Sequence, residues 1–200
     1  MKTTSQDGII HFEMDQALLQ VVEEALGDLK GKSHQVLKNA VNATARDAKK
    51  HLAKKAQQTY VVKQSRFTKA MKQKNATTSN LTATINVTGA QLELKDFKVS
   101  PATYRTGDNR PALTKAKVLM SSSLKPLVRG PNKAFLVKFR NGHVSVAQRK
   151  TKARYPIKKL LSNSIPTMVG SQDRVLGVME PEIYDDLMDN IIKEIRRVTK

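Results

Sequence analysis

The 200-residue chain has no cysteine and no tryptophan, and aromatic residues make up only 4% of it. Without cysteine it cannot carry the disulfide framework of a small secreted domain, nor a zinc site built on thiolates. No apolar run approaches the ~20 residues that a membrane-spanning helix needs, so no membrane partner is expected. Residues 1–7 contain no apolar core of the kind a signal peptide uses, and export by that route is not expected. Disorder throughout is excluded by apolar residues that recur with clear periodicity.

Acid is missing where it would matter most. The chain holds 36 Lys+Arg against 17 Asp+Glu, a net charge of +19, and no Asp or Glu lies between Asn109 and Gln172. Such self-repulsion disfavours a compact monomer and calls for something anionic nearby. The charge falls in blocks: −5 over residues 1–29, +12 over 30–74, none over 75–108, +14 over 109–172 and −2 over 173–200. Acidic ends and basic interior blocks allow one copy of the chain to meet another through opposite charges.

Catalytic constellations are absent as well. The four histidines, His11, His34, His51 and His143, form no metal-ligand spacing, and there is no phosphate loop, nucleophile elbow or dinucleotide fingerprint. The acid-free block cannot by itself supply a two-carboxylate site. An enzyme is not expected, and neither is a cofactor.

What is present reads as α+β. Residues 15–29 have helical spacing (Leu18, Leu19, Val22, Ala25, Leu26, Leu29), with Asp15 as N-cap and Gly31 as a break. Residues 33–58 predict a longer helix capped by Ser33, with a stripe of Leu37, Val41, Thr44, Ala48 and Leu52. Residues 65–74 predict a third helix without the pattern of a recognition helix. Leu81–Thr88 alternates cleanly, and Gly89-Ala90 predicts a hairpin pairing Val87 with Leu92 and Ile85 with Leu94. Asn141-Gly142 predicts a second hairpin pairing Phe139 with Val144 and Val137 with Val146. Between them, residues 100–133 read as a long loop rich in proline, with a strand at Lys115–Ser121. Pro156 opens a short helix over 156–163, and Pro166 ends that region. A last helix runs from Pro181 to Val198, with acids at its start and Arg196, Arg197 and Lys200 at its end, as the helix dipole favours. The expected architecture is an antiparallel sheet built from hairpins, flanked by N-terminal helices and a C-terminal helix. One domain is expected over 1–200: helical over 1–58, sheet over 59–148, basic segment and C-terminal helix over 149–200.

The densest basic run is Arg149-Lys150-Thr151-Lys152-Ala153-Arg154, followed by Lys158-Lys159, with Lys138 and Arg140 on the second hairpin. A charge run is commonly a solvated face. The absence of any interleaved acid points instead to phosphate backbone or an acidic protein surface, contacted by charge without reading sequence. Only Tyr155 offers a stacking ring within the run, so base recognition is not expected.

The order of motifs resembles the minor tail protein Z family of tailed bacteriophages, which act in tail completion. The likeness runs from Tyr60-Val61-Val62-Lys63 through Leu81–Gly89, Leu92-Glu93-Leu94 and Phe97 to Pro101. It resumes at Ala134-Phe135, Asn141-Gly142-His143, Arg149, Tyr155-Pro156-Ile157-Lys158-Lys159-Leu160 and Ser164-Ile165-Pro166-Thr167-Met168. The chain departs from the pattern at Ser162-Asn163, where such proteins often have Gly-Pro. The resemblance implies a virion component assembled in the host cytoplasm, at the head-proximal end of the tail and without catalytic activity. It implies a ring-like homo-oligomer around the axial channel, touching other neck and tail proteins. The charge map adds packaged DNA as a nonspecific contact. Competing readings are a free nucleic-acid-binding protein and a basic assembly scaffold.

Overall fold

The computed structural model describes residues 2–6, 8–107, 112–129 and 132–200, with the side chains of Lys2, Thr4, Ser5, Gln6 and Arg129 left aside. Asn109 and residues 1, 7, 108, 110, 111, 130 and 131, which fall in segments of the sequence reading, lie outside the described residues. The fold is α+β with antiparallel sheets. It divides into two compact units. Unit 1 comprises residues 1–56, 64–89 and 165–200; unit 2 comprises residues 57–63 and 90–164. These boundaries differ from the sequence divisions at 58/59 and 148/149.

Unit 1 is built on a four-stranded sheet of order β1-β2-β4-β3, with β1 Lys2–Gln6, β2 Ile9–Glu13, β3 Met71–Lys74 and β4 Thr82–Val87. Ile10, Phe12, Met71, Ala83, Ile85 and Val87 are buried on one face. The alternation of β4 therefore reads correctly as a buried face, but its partner is not the strand after Gly89. Ile85 pairs with Ile10 on one side and Gln73 on the other, and Val87 pairs with Met71. With both edges of β4 occupied, the Gly89-Ala90 hairpin does not form. The third helix is likewise shorter than its sequence reading. It is α3, Gln64–Ala70, and Met71–Lys74 joins the sheet because that pairing buries Met71.

The helices of unit 1 follow their apolar periods. In α1, Gln16–Leu26, Asp15 caps the first turn by accepting from the Leu18 amide at 3.0 Å. Gly27–Lys32 is a 3-10 turn, so Leu29 lies beyond the α-helix. In α2, Ser33–Thr59, the expected stripe is buried throughout, but Ser33 is already helical and its hydroxyl donates to Glu23 at 3.3 Å instead of capping. Pro166 opens no break; it lies in the short helix α4, Ile165–Val169. The last helix, α5, starts earlier than its sequence reading, at Leu176, and carries Pro181 inside it. The missing N–H of Pro181 costs one intrahelical bond. Burial of Leu176, Met179, Ile183, Leu187 and Ile191 offsets it.

Three contacts set α5 antiparallel to α2. Asn39 donates to Glu194 at 2.9 Å, Asn190 donates to Thr44 at 3.1 Å, and His51 meets Asp186 at 3.3 Å. Asn42 ties α2 to the segment after β3, with its amide donating to the Ala76 carbonyl at 3.1 Å and accepting from the Ala76 N–H at 2.7 Å.

Among its described residues unit 2 contains three small sheets. The largest has the order β12-β11-β10-β9: β9 Val128–Arg129, β10 Asn132–Lys138, β11 Val144–Arg149 and β12 Ile157–Lys159. The second joins β5 Gln91–Glu93 to β13 Leu161–Ser164. The third is β6-β7-β8, from Lys98–Ser100, Lys115–Lys117 and Lys125–Pro126, so the long segment 100–133 is partly strand. Residues 59–61 run beside 118–120, through the Val61 N–H to Val118 at 2.9 Å and the Met120 N–H to Thr59 at 2.8 Å.

Two sequence readings change in unit 2. The 156–163 segment is not a helix: Ile157–Lys159 and Leu161–Ser164 are strands, held by pairing with β11 and β5. The Asn141-Gly142 hairpin exists, but its loop has three residues. The Phe139 N–H donates to the His143 carbonyl at 2.8 Å, and the Gly142 N–H donates to Phe139 at 2.9 Å, with Gly142 at φ +82°. Leu136 therefore pairs with Val146 and Val137 with Ser145. A one-residue slip changes every cross-strand partner.

Candidate functional site

The fold places most of the net charge on one unit. Unit 2 carries 18 Lys+Arg against 3 Asp+Glu, a net of +15, while unit 1 carries 18 against 14, a net of +4. Of the three unit 2 acids, Glu93 is already engaged. It accepts from His143 Nε2 and Lys159 Nζ, both at 2.9 Å.

This Glu93 cluster is a product of the hairpin register. The three-residue loop puts Phe139, His143, Ser145 and Ala147 on one face, and Lys159 joins them by pairing with Ala147. The His143 ring stacks on Phe139 at 6.1 Å, and the Lys159 ammonium lies 5.2 Å from the same ring centre. Burial by itself would raise the Glu93 carboxyl. The buried Ser145 hydroxyl, the Lys159 ammonium and His143 outweigh that and bring its pKa down to about 2. The Ser145 hydroxyl is buried and makes no hydrogen bond of ordinary geometry. Lys159, one of the predicted contact residues, is thus paired with Glu93 while its side chain stays 44% exposed.

The remaining basic residues fall into three places. Arg149, Lys150 and Lys158 converge, with Asn132 and Gln148, around a cleft of about 400 Å³. It forms where β10, β11 and β12 meet: Gln148 Nε2 donates to the Asn132 carbonyl at 2.7 Å, and the Lys150 N–H donates to Pro156 at 2.9 Å. Lys152 and Arg154 stand on the exposed connection between β11 and β12, where the Arg154 guanidinium lies 5.8 Å from the ring of exposed Tyr155. Lys138 and Arg140 are exposed near the hairpin loop, at the other end of β10 from the cleft. Lys138 is four residues beyond Ala134, the partner of Gln148, or about 13 Å along the strand. The structure therefore gathers Arg149, Lys150 and Lys158 and leaves the other four dispersed around them.

A family model, described as prophage minor tail protein Z (GPZ), matches residues 19–200. The chain belongs to the prophage minor tail protein Z family. No curated protein and no solved structure matches it. Minor tail protein Z is a structural tail protein of a bacteriophage, and membership assigns this chain to the tail. Among the described residues no helix is long and apolar enough to cross a membrane, and no group of three or more His, Asp or Glu is arranged to hold a metal ion.

For a minor tail protein Z chain, the sequence reading missed two features. The Glu93 cluster joins residues 50 and 66 positions apart, and nothing local marks it. The second is the three-stranded β6-β7-β8 sheet, where Lys98 lies directly across from Lys117 and Ser100 from Lys115. Val99 and Ala116 are buried on its inner face, so the three lysines share the outer one.

Proposed function

We propose that this minor tail protein Z chain acts in tail completion, as a ring-forming subunit at the head-proximal end of the tail. The ring surrounds the axial channel and contacts neighbouring neck and tail proteins. The basic surface of unit 2 faces packaged DNA, through the cleft of Arg149, Lys150 and Lys158 and the loop of Lys152 and Arg154. The observation that carries this reading is the concentration of +15 on one compact unit. Cations without sequence-reading partners suit a phosphate backbone that moves past them.

Electron microscopy of particles made without the protein tests the role. Tails of normal length that fail to yield joined, infectious particles support completion. Tails of uncontrolled length, or no tails, refute it. Charge reversal at Lys150, Lys152 and Arg154 tests the DNA contact: particles that assemble and retain DNA normally would end that part of the proposal.

The basic cleft also favours a second reading, a free nucleic-acid-binding protein. Such a protein binds duplex DNA in isolation, and three phosphate contacts would give a log–log salt slope of about −3. It would also be missing from purified virions by mass spectrometry, as would an assembly scaffold.

A further inference from the structure

The lysine face of the β6-β7-β8 sheet has no internal explanation. Lys98 and Lys117 occupy directly opposed positions on adjacent antiparallel strands, where Cβ atoms lie about 5 Å apart. Lys115 follows on the same face, about 7 Å along β7 from Lys117. Like charges placed this way repel, and no acid among the described residues pairs with any of the three. Exposed apolar side chains accompany them: Met120 lies three residues past Lys117, and Val128 two residues past Pro126. Bare phosphate has no use for the apolar neighbours. A protein surface with acids set among apolar side chains does.

Such a surface is present in unit 1. Val178, Glu182, Asp185, Asp189, Ile192 and Arg196 fall within about 80° of the α5 circumference, opposite its buried stripe, and Glu182 also meets His51 of α2 at 3.3 Å. Val178 and Ile192 are 46% and 44% exposed. Asp185 and Asp189 stand four residues apart, a repulsive spacing. The helix begins at Leu176 with no acid in its first turn, so the helix dipole does not account for these carboxylates. The lysine face carries cations alone, and the α5 face carries three carboxylates and two exposed apolar side chains, with Arg196 at its C-terminal end.

We infer that the lysine face of one copy docks on the acidic face of α5 in the next copy. The contact is head-to-tail, because the two patches differ, and a repeated head-to-tail contact closes into a ring when its rotation divides a full turn. It rests on the reading of the chain as a ring-forming subunit and names the surfaces that make the ring.

The test uses the full chain and three variants: Lys98→Glu with Lys117→Glu, Lys98→Gln with Lys117→Gln, and Asp185→Lys with Asp189→Lys. Circular dichroism checks folding, and native mass spectrometry with light scattering reads assembly. Each charge reversal is expected to weaken self-association at least tenfold, and the neutral pair less. An equimolar mixture of the two reversals is expected to recover assembly in alternating order, which misfolded chains would not do. Wild-type assembly that survives both reversals overturns the inference and leaves the ring reading standing. So does loss of duplex DNA binding in the lysine variants with assembly intact, which would make DNA the occupant. A reversal mixture that does not recover also overturns it. A wild type that neither self-associates in solution nor cross-links to itself on purified tails overturns both.

Discussion

Replacing Glu93 with Gln keeps the shape of the side chain and removes its charge, and the structure says how much that should cost. The carboxyl sits at about 2 against an ordinary 4.5, a depression of about 2.5 units. At 1.36 kcal/mol per unit this amounts to about 3.4 kcal/mol. The Glu93 side chain is 21% exposed, and His143 and Lys159 are 46% and 44% exposed, so solvent screens part of the attraction. About 2 kcal/mol is the realistic expectation. Because the folded-state value is depressed, this stability is present above the unfolded value of 4.5. It drains away as the pH falls through the folded value near 2. The Glu93→Gln variant should therefore be about 2 kcal/mol less stable at pH 7, and the gap should be mostly closed by pH 2. Urea titrations followed by circular dichroism at pH 7, 4.5, 3 and 2 measure the gap. Hydrogen exchange at the β11 amides assigns it to unit 2. A variant as stable as wild type at pH 7, or a gap unchanged at pH 2, would refute the account of this cluster.

Other substitutions probe unit 1. Gly8 has φ +79°, and a Cβ there would lie 2.7 Å from the Val87 carbonyl oxygen. Gly8→Ala should lower stability by about 1–3 kcal/mol, read as a drop in the urea midpoint, because strain and backbone clash combine. Asn42→Leu removes both bonds to Ala76 and leaves its backbone groups without that partner. A loss of about 2 kcal/mol is expected in the same assay, with faster exchange of the Ala76 amide. Ala48→Leu inserts bulk into a fully buried position on α2 and should cost about 1–3 kcal/mol by thermal denaturation.

The long helices were legible because their evidence is local, while the short ones predicted over 65–74 and 156–163 gave way wholly or in part to strand pairing. The stripe Leu37, Val41, Ala48 and Leu52 is a property of one segment, and burial followed it. The strands were legible as faces and not as pairs. Ala83, Ile85 and Val87 point inward as the alternation requires, yet their partners are residues 9–13 and 71–74, which no turn after Gly89 announces. Asp7-Gly8 is a hairpin signal, but Lys2–Gln6 is wholly polar and offers no alternation beside it. At Asn141-Gly142 the turn was located and its length mistaken by one, which hid the approach of His143, Ser145 and Lys159 to Glu93. Among the candidate contact residues, Arg149, Lys150 and Lys158, which are close in sequence, also line one cleft. Lys159, next to Lys158 in sequence, lies on the opposite side of β12 and pairs with Glu93, a contact that the sequence does not announce. The lysine face could not be read at all, since Lys98 and Lys117 become neighbours only through strand pairing.

The division of the chain into units also dictates an order of synthesis. The segments of unit 2 end at residue 164, while unit 1 takes its last piece from residues 165–200. A chain growing from the ribosome therefore completes all the residues of its basic unit first. The stripe of α2 waits for α5, and the side chains that meet Asn39 and Thr44 are among the last made. A message cut short before Leu176 yields a polypeptide with the cationic unit entire and an unclosed apolar seam in the other. Such a product exposes apolar surface of the kind on which chaperones and proteases act.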